Sequence, residues 1–151
     1  EAEPAIETTE NILSELPRGT ETILVVDDEE DLVELASEYL NHLGYSVLTA
    51  IDAEQALKVL DGDNCVDLVF SDIIMPGDMD GYQLAEKIHN EHPEYTILLT
   101  SGFTKRKEEK FGRENALILK LSENRLQKPY SQSELAIAIR RSLDERTLPP
   151  Y

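Results

Sequence analysis

The sequence predicts an α/β domain: a doubly wound parallel sheet of five strands with helices on both faces. Three observations carry this expectation. Short apolar runs rich in β-branched and aliphatic residues alternate with longer segments of helical period, the pattern of repeated βαβ units. Most of these runs are apolar almost throughout, as in strands covered on both faces, rather than alternating. Polar residues gather directly after the runs, at the strand ends where open parallel sheets bind ligands.

The first four strands are expected at Thr22–Val26, Ser46–Ala50, Val66–Phe70 and Thr96–Thr100. Between the first two, Leu32, Leu35, Ala36, Tyr39, Leu40 and Leu43 recur at i, i+3, i+4, i+7, i+8 and i+11, one face of a helix that stops at Gly44. Ala53, Ala56, Leu57 and Leu60 repeat the pattern, with Asp52 as N-cap and Gln55 reaching back from the third helical position. Leu84, Ala85 and Ile88 mark a third helix starting near Asp80-Gly81. Leu135, Ala138, Ile139 and Leu143 mark the last, opened by the capping box Ser131-Gln132-Ser133-Glu134, worth on the order of 1 kcal/mol. The stretch from Gly102 to Gln127 is highly charged, with Phe103, Phe111 and Leu117-Ile118-Leu119 as its apolar anchors. A helix within 104–112 and a fifth strand near Arg125–Gln127 are expected there.

Glu1 to Thr20 stand apart: acidic, with Pro4 and Pro17 and only faint apolar spacing at Ile12, Leu13 and Leu16. They read as a linker or tail over 1–20, or as a short helix packing on the domain, ahead of a domain at 21–146 and a second tail at 147–151. The 151 residues suit one domain. Fourteen basic against 31 acidic side chains leave a net charge of −17, which excludes a broad phosphate-neutralising surface and a polybasic membrane anchor. No apolar run approaches the roughly 18 residues of a bilayer span, and no signal peptide is visible. With Cys65 the sole cysteine, neither a disulfide nor a cysteine-based zinc site is possible within the chain. A cytoplasmic domain without nucleic-acid or direct membrane contact is expected.

The chemistry lies after the strands. The first runs into Asp27-Asp28, the third into Asp72, the fourth ends on Thr100, and the fifth leads to Lys128-Pro129. Three carboxylates, a hydroxyl and an ammonium converge if these ends share one crevice. Each residue alone has a plainer reading: Asp27-Asp28 as acids favoured by a helix dipole, Asp72 as a turn residue, Thr100 as strand, Lys128 as an exposed loop cation.

Ile23-Leu24-Val25-Val26-Asp27-Asp28-Glu29, Leu68-Val69-Phe70-Ser71-Asp72-Ile73-Ile74-Met75-Pro76 and Leu126-Gln127-Lys128-Pro129-Tyr130 together resemble the receiver domain of two-component response regulators, over about residues 21–145. The resemblance implies a flavodoxin-like sheet of order 2-1-3-4-5 and a domain that takes a phosphoryl group from phosphohistidine onto Asp72. It implies Mg²⁺ held by Asp28, Asp72 and the backbone carbonyl of Ile74, with Asp27 acting mainly through a bound water. Lys128 would pair first with Asp72 and then with a phosphoryl oxygen, and Thr100 would donate to another. The physical chemistry agrees: crowded carboxylates need a cation, a hard divalent ion takes oxygen ligands, and phosphoryl transfer needs positioning and charge neutralisation. Partners implied are a histidine kinase dimerisation and phosphotransfer domain or a histidine phosphotransfer protein. With Gly77 added in the loop after Asp72, and with Thr100-Ser101-Gly102, the chain is most similar to receivers at the C-terminal end of hybrid sensor histidine kinases.

Other residues carry duller expectations. Met75 to Gly81 reads as a turn, His42, His89 and His92 as surface residues, and Cys65 as a small packing residue. Arg125 stands three before Lys128, where the family often has an aromatic side chain that rotates inward; a smaller or different response around the fourth helix and fifth strand is expected. Ile74, aliphatic where polar side chains can orient water, suggests slow self-hydrolysis. Two alternatives stay open. One is an aspartyl-nucleophile phosphatase of the haloacid-dehalogenase type, although Asp27-Asp28-Glu29 is not its Asp-x-Asp arrangement. The other is a receiver-like interaction module that is never phosphorylated.

Overall fold

The computed structural model describes residues 16–62, 64–102 and 116–145. Strands and helices alternate along it: β1 (Thr22–Val26), α1 (Glu30–His42), β2 (Ser46–Ala50), α2 (Ala53–Asp61), β3 (Leu68–Asp72), α3 (Gly81–Glu91), β4 (Thr96–Ser101), α4 (Ala116–Glu123), β5 (Leu126–Gln127) and α5 (Gln132–Glu145). All strand pairs are parallel, and the sheet order is β2-β1-β3-β4-β5, a flavodoxin-like doubly wound fold as expected.

The sheet separates two apolar layers because alternate strand residues face opposite ways. Ile23 and Val25 of β1 join Ala36 and Leu40 of α1 and Leu135 and Ile139 of α5 on one face. Leu24 and Val26 join Ala56 and Leu60 of α2 and Leu84 and Ile88 of α3 on the other. A third cluster sets α3 against α4 through Ile73, Tyr82, Ala85, Leu99, Ile118 and Leu121. Side chains such as Leu24, Leu40 and Ile88 are sealed from solvent, each contributing about 1.5–3 kcal/mol of burial. On α1 the inward stripe omits Leu35, which stays exposed although it shares the helical spacing.

Helix starts follow the sequence signals. Asp80 and Gln83 form a full capping box on α3, and Ser131 and Glu134 form one on α5. On α2, Asp52 accepts the Gln55 N–H at 2.8 Å, but Gln55 Oε1 reaches past the cap to the Ile51 N–H at 2.9 Å. At the opposite end of the sheet, Leu16 packs on the core and the Gly19 N–H donates to the Leu43 carbonyl at 3.1 Å. Arg140 there pairs with Glu21 at 2.8 Å.

Several expectations are corrected. β3 is displaced to Leu68–Asp72, because β1 and β4 on either side supply partners to the backbone of the polar residues Ser71 and Asp72. The run Leu117-Ile118-Leu119 belongs to helix α4, with Ile118 and Leu121 turned into the core, and the helix expected within 104–112 lies outside the described residues; the fifth strand expected near Arg125–Gln127 is present at Leu126–Gln127. Cys65 is exposed rather than packed. His42 and His89 are exposed as expected, but the His92 side chain is only 25% exposed and sits between Asp61 at 3.3 Å and Glu94 at 3.7 Å. Among the described residues no helix is long and apolar enough to cross a membrane.

Candidate functional site

Four strand ends meet at one edge of the sheet. β1 delivers Asp27 and Asp28, β3 terminates on Asp72, β4 carries Thr100, and β5 leads into Lys128, whose peptide bond to Pro129 is cis. Their closeness follows from register: Asp72 lies opposite Thr100, and the Lys128 N–H donates to the Ser101 carbonyl at 2.7 Å. The Ile73 N–H likewise donates to the Thr100 carbonyl at 3.0 Å, carrying the ladder past the end of β3.

Carboxylate oxygens of Asp27, Asp28 and Asp72 all lie within 4.8 Å of one another. Asp27 and Asp72 are buried, while Asp28 is exposed at the mouth. Neither Asp27 nor Asp28 caps the helix that follows. Glu29 occupies the N-cap of α1 and no side chain caps it, whereas Asp27 Oδ1 accepts the Glu29 N–H at 3.0 Å. The other Asp27 oxygen is 3.0 Å from Lys128 Nζ. Lys128 also approaches Asp72 at 3.4 Å and Glu29 at 3.9 Å. The ammonium thus pairs with Asp72 but lies between two buried carboxylates and closer to Asp27.

The electrostatics follow from burial. Loss of solvation pushes the Asp72 carboxyl from 3.8 up to about 6; Lys128 opposes this, the nearby Asp27 charge adds to it, and the Ile74 N–H opposes it weakly. For Lys128, burial works to lower the ammonium pKa, but Asp72 and Asp27 overcome it and the net shift is upward. The site thus holds its cation firmly and lacks positive charge for its acids. Three clustered carboxylates form an oxygen donor set able to coordinate a divalent cation. The Thr100 hydroxyl, at the same strand ends, is buried with no hydrogen-bond partner among the described residues.

The structure gives Gly81 a part that sequence reading passed over. A Cβ on Gly81 would collide with the Asp72 carbonyl and the Ile73 Cα, so only glycine lets the start of α3 sit against the end of β3. The Gly81 N–H donates to the Ile73 carbonyl at 2.7 Å. The Asp80-Gly81 helix start was the available signal, but its contact with residue 72 was not visible in it. Tyr130 packs edge-on against Phe70, ring centroids 5.7 Å apart, behind the site. Ile74 is half-buried beside Asp72.

Comparison with known proteins agrees with this geometry. Residues 23–140 match the response regulator receiver domain family. The chain is 35% identical over 126 residues to the autoinducer 1 sensor kinase/phosphatase LuxN of Vibrio harveyi, covering 83% of this chain and 14% of that one. It is 30% identical to the sensor kinase CckA of Brucella abortus, covering 85% and 13%. It is 36% identical to the transcriptional regulatory protein CpxR of Klebsiella pneumoniae, covering 78% and 47%. The chain thus spans less than half the length of these relatives. Among solved structures, the signal receiver domain of an HD domain-containing protein from Pseudomonas fluorescens aligns with TM-score 0.66 and 30% identity, covering 85% of this chain and 98% of that one. The chain belongs to the response-regulator receiver domain family of two-component signalling, whose general role is phosphoacceptance.

Proposed function

We propose that this domain accepts a phosphoryl group from phosphohistidine onto Asp72 and relays it onward. One observation carries the reading: Asp72 sits within reach of two further carboxylates, one partly buried ammonium and one buried hydroxyl that has no partner among the described residues. An Asp72 carboxylate oxygen attacks phosphorus as the phosphorus–nitrogen bond of phosphohistidine breaks, its electron pair staying on the imidazole. Lys128 moves from its two carboxylates towards a phosphoryl oxygen, and the Thr100 hydroxyl donates to another. Asp28, Asp72 and the Ile74 carbonyl would hold Mg²⁺, with Asp27 acting mainly through water. Bound there, the ion supplies positive charge against the clustered carboxylates and the incoming phosphoryl oxygens.

The phosphoryl donor is proposed to be a histidine kinase domain or a histidine phosphotransfer protein, consistent with the sensor kinases among the relatives. Placement at the C-terminal end of a hybrid sensor kinase is the favoured setting. Incubation with acetyl phosphate and Mg²⁺ tests the reading. One phosphoryl group should add to the intact chain and none to Asp72→Asn. Continuous turnover of added substrate would instead indicate a phosphatase, and no labelling would indicate an interaction module. Ile74 offers no polar group to orient water, so the label should persist for minutes or longer; decay within seconds contradicts that.

A further inference from the structure

The residue ahead of Asp72 is a serine in a strand that is buried at every position; Ser71 itself is 1% exposed. Alternation along β3 places its side chain on the face of Val69, in the apolar layer that also holds Val26 and Met75. A hydroxyl set there has lost its water and needs a partner inside the protein. It finds one in the carbonyl oxygen of Asp72 at 2.9 Å, with Met75 Sδ 3.9 Å away.

That carbonyl needs a donor because of where the neighbouring strands end. β1 pairs with β3 only as far as Val26 opposite Ser71, whereas β4 runs on to place Thr100 opposite Asp72. Successive residues of a strand turn their main-chain groups to opposite neighbours. The Ile73 N–H goes to β4, to the Thr100 carbonyl at 3.0 Å. The Asp72 carbonyl therefore turns to the side on which β1 has already ended, and Ser71 supplies a donor there from its own side chain. One residue on, the Gly81 N–H donates to the Ile73 carbonyl at 2.7 Å, and the Gly81 backbone closes on the Asp72 carbonyl. Three hydrogen bonds thus hold the two peptide groups after Asp72. They lead to Ile74, whose N–H bonds the Asp72 carboxylate. Of the three, only the Ser71 bond is made by a side chain, so it alone is removed by trimming one.

We infer that Ser71 is a positioning residue for phosphoacceptance: its hydroxyl fixes the peptide plane after Asp72 and so the main chain that brings Ile74 to the Asp72 carboxylate. This deepens the proposed phosphoacceptor role and rests on it. Attack on phosphorus needs the carboxylate held in one orientation, and the Ile74 N–H is a contact that holds it. Ile74 also carries the carbonyl proposed to hold Mg²⁺. Without the hydroxyl, the Asp72 carbonyl loses its donor and the plane between residues 72 and 73 is free to rock. The serine touches neither the phosphoryl group nor the metal in this role; it acts through Ile74.

Three variants of the full 151-residue chain separate the hydroxyl from its surroundings. Ser71→Ala removes it. Ser71→Cys keeps the size of the side chain but donates weakly, and serves should the first variant fail to fold. Ser71→Thr keeps the hydroxyl on a β-branched side chain suited to a strand. Two measurements are made on each: the rate of labelling by acetyl phosphate with Mg²⁺, and amide hydrogen exchange in the metal-free chain, comparing Ile74 with Val69 and Phe70 inside β3. Ser71→Ala and Ser71→Cys should slow labelling about tenfold. In the same two variants Ile74 exchange should quicken about tenfold while Val69 and Phe70 stay unchanged, and Ser71→Thr should restore both readouts. A hydroxyl that merely stabilises the strand would quicken exchange equally at all three amides and leave labelling of the folded protein unaltered, which overturns the inference. Labelling of Ser71→Cys at the wild-type rate overturns it as well. Absence of labelling in the wild type overturns the phosphoacceptor reading instead, while the exchange comparison, which needs no phosphoryl group, still decides whether Ser71 holds the turn.

Discussion

Lys128 Nζ lies 3.0 Å from Asp27 Oδ2, in a contact between residues 101 positions apart in the chain. The ammonium is shared, and the 3.4 Å approach to Asp72 is the longer of its two close carboxylate contacts. Asp72 is buried with less than a full counter-charge, which is why its carboxyl is pushed up to about 6. A carboxyl with a raised pKa is one whose ionised form the fold disfavours, and this sets the sign of the first prediction.

Between about pH 4 and 6 the folded protein binds more protons at Asp72 than the unfolded chain does. Asp72 therefore makes stability fall as pH rises through that window, by on the order of 2 kcal/mol in total, and the loss is complete above about 6. Asp72→Asn should raise the urea midpoint at pH 7.5 by an amount corresponding to about 1–2 kcal/mol, with little change near pH 4. Adding millimolar Mg²⁺ should stabilise the wild type more than the variant. Parallel denaturation curves at the two pH values would refute this if the variant gained nothing at the higher one.

Glu21 works in the opposite direction. The hydrogen-bonded Arg140 guanidinium holds its carboxyl below the ordinary 4.5, against the opposing effect of burial. Its contribution is present above that value and is lost as pH falls through the depressed one. Glu21→Gln should cost about 1 kcal/mol at pH 7, a modest figure because both side chains keep some solvent contact. The penalty should shrink on acidification. Thermal unfolding at pH 7 and pH 3 checks both parts.

Thr100→Val replaces a buried hydroxyl that has no partner among the described residues with a methyl of similar shape. Stability should be unchanged or raised by up to about 1 kcal/mol. Affinity for beryllofluoride should nevertheless fall about tenfold, the equivalent of one hydrogen bond. Calorimetric titration alongside a denaturation curve separates the two effects; a stable variant with undiminished affinity would remove Thr100 from the site.

Gly81→Ala drives a methyl into the backbone at Asp72 and Ile73, which cannot move aside as a flexible side chain would. A loss of about 2–4 kcal/mol is expected, together with slower labelling by acetyl phosphate because Asp72 itself is displaced. Labelling at the wild-type rate in a folded variant would show that the strand end tolerates the shift.

Much of this was legible before folding because it is local. The period-3.6 spacing of Ala36, Leu40 and Leu43 located α1, the Ser131-Glu134 pair located the start of α5 with its hydrogen bonds, and Asp80-Gly81 located the start of α3, though not its bond to Gln83. Polar residues following Val26, Phe70 and Leu99 marked the functional edge, since strands buried on both faces admit such groups only where they end. α4 escaped because Leu117-Ile118-Leu119 is a continuous apolar run, in which helix and strand look alike, whereas β5, with only two residues in the sheet, was placed to within one residue. β3 was placed two residues early because pairing with β1 and β4, not apolar character, sets its end.

Read as a string, the residues specify the doubly wound fold, the acidic edge and the chemical types that meet there, because periodicity and strand-end chemistry are properties of short windows. Three dimensions settle how those types are matched: Lys128 leaning to Asp27, Thr100 buried without a partner among the described residues, Gly81 wedged beneath Asp72, and Arg125 tied to Ser101 and Ser122. These outcomes depend on desolvation and on ångström-scale distances between segments far apart in the chain, quantities that exist only once the strands have come together.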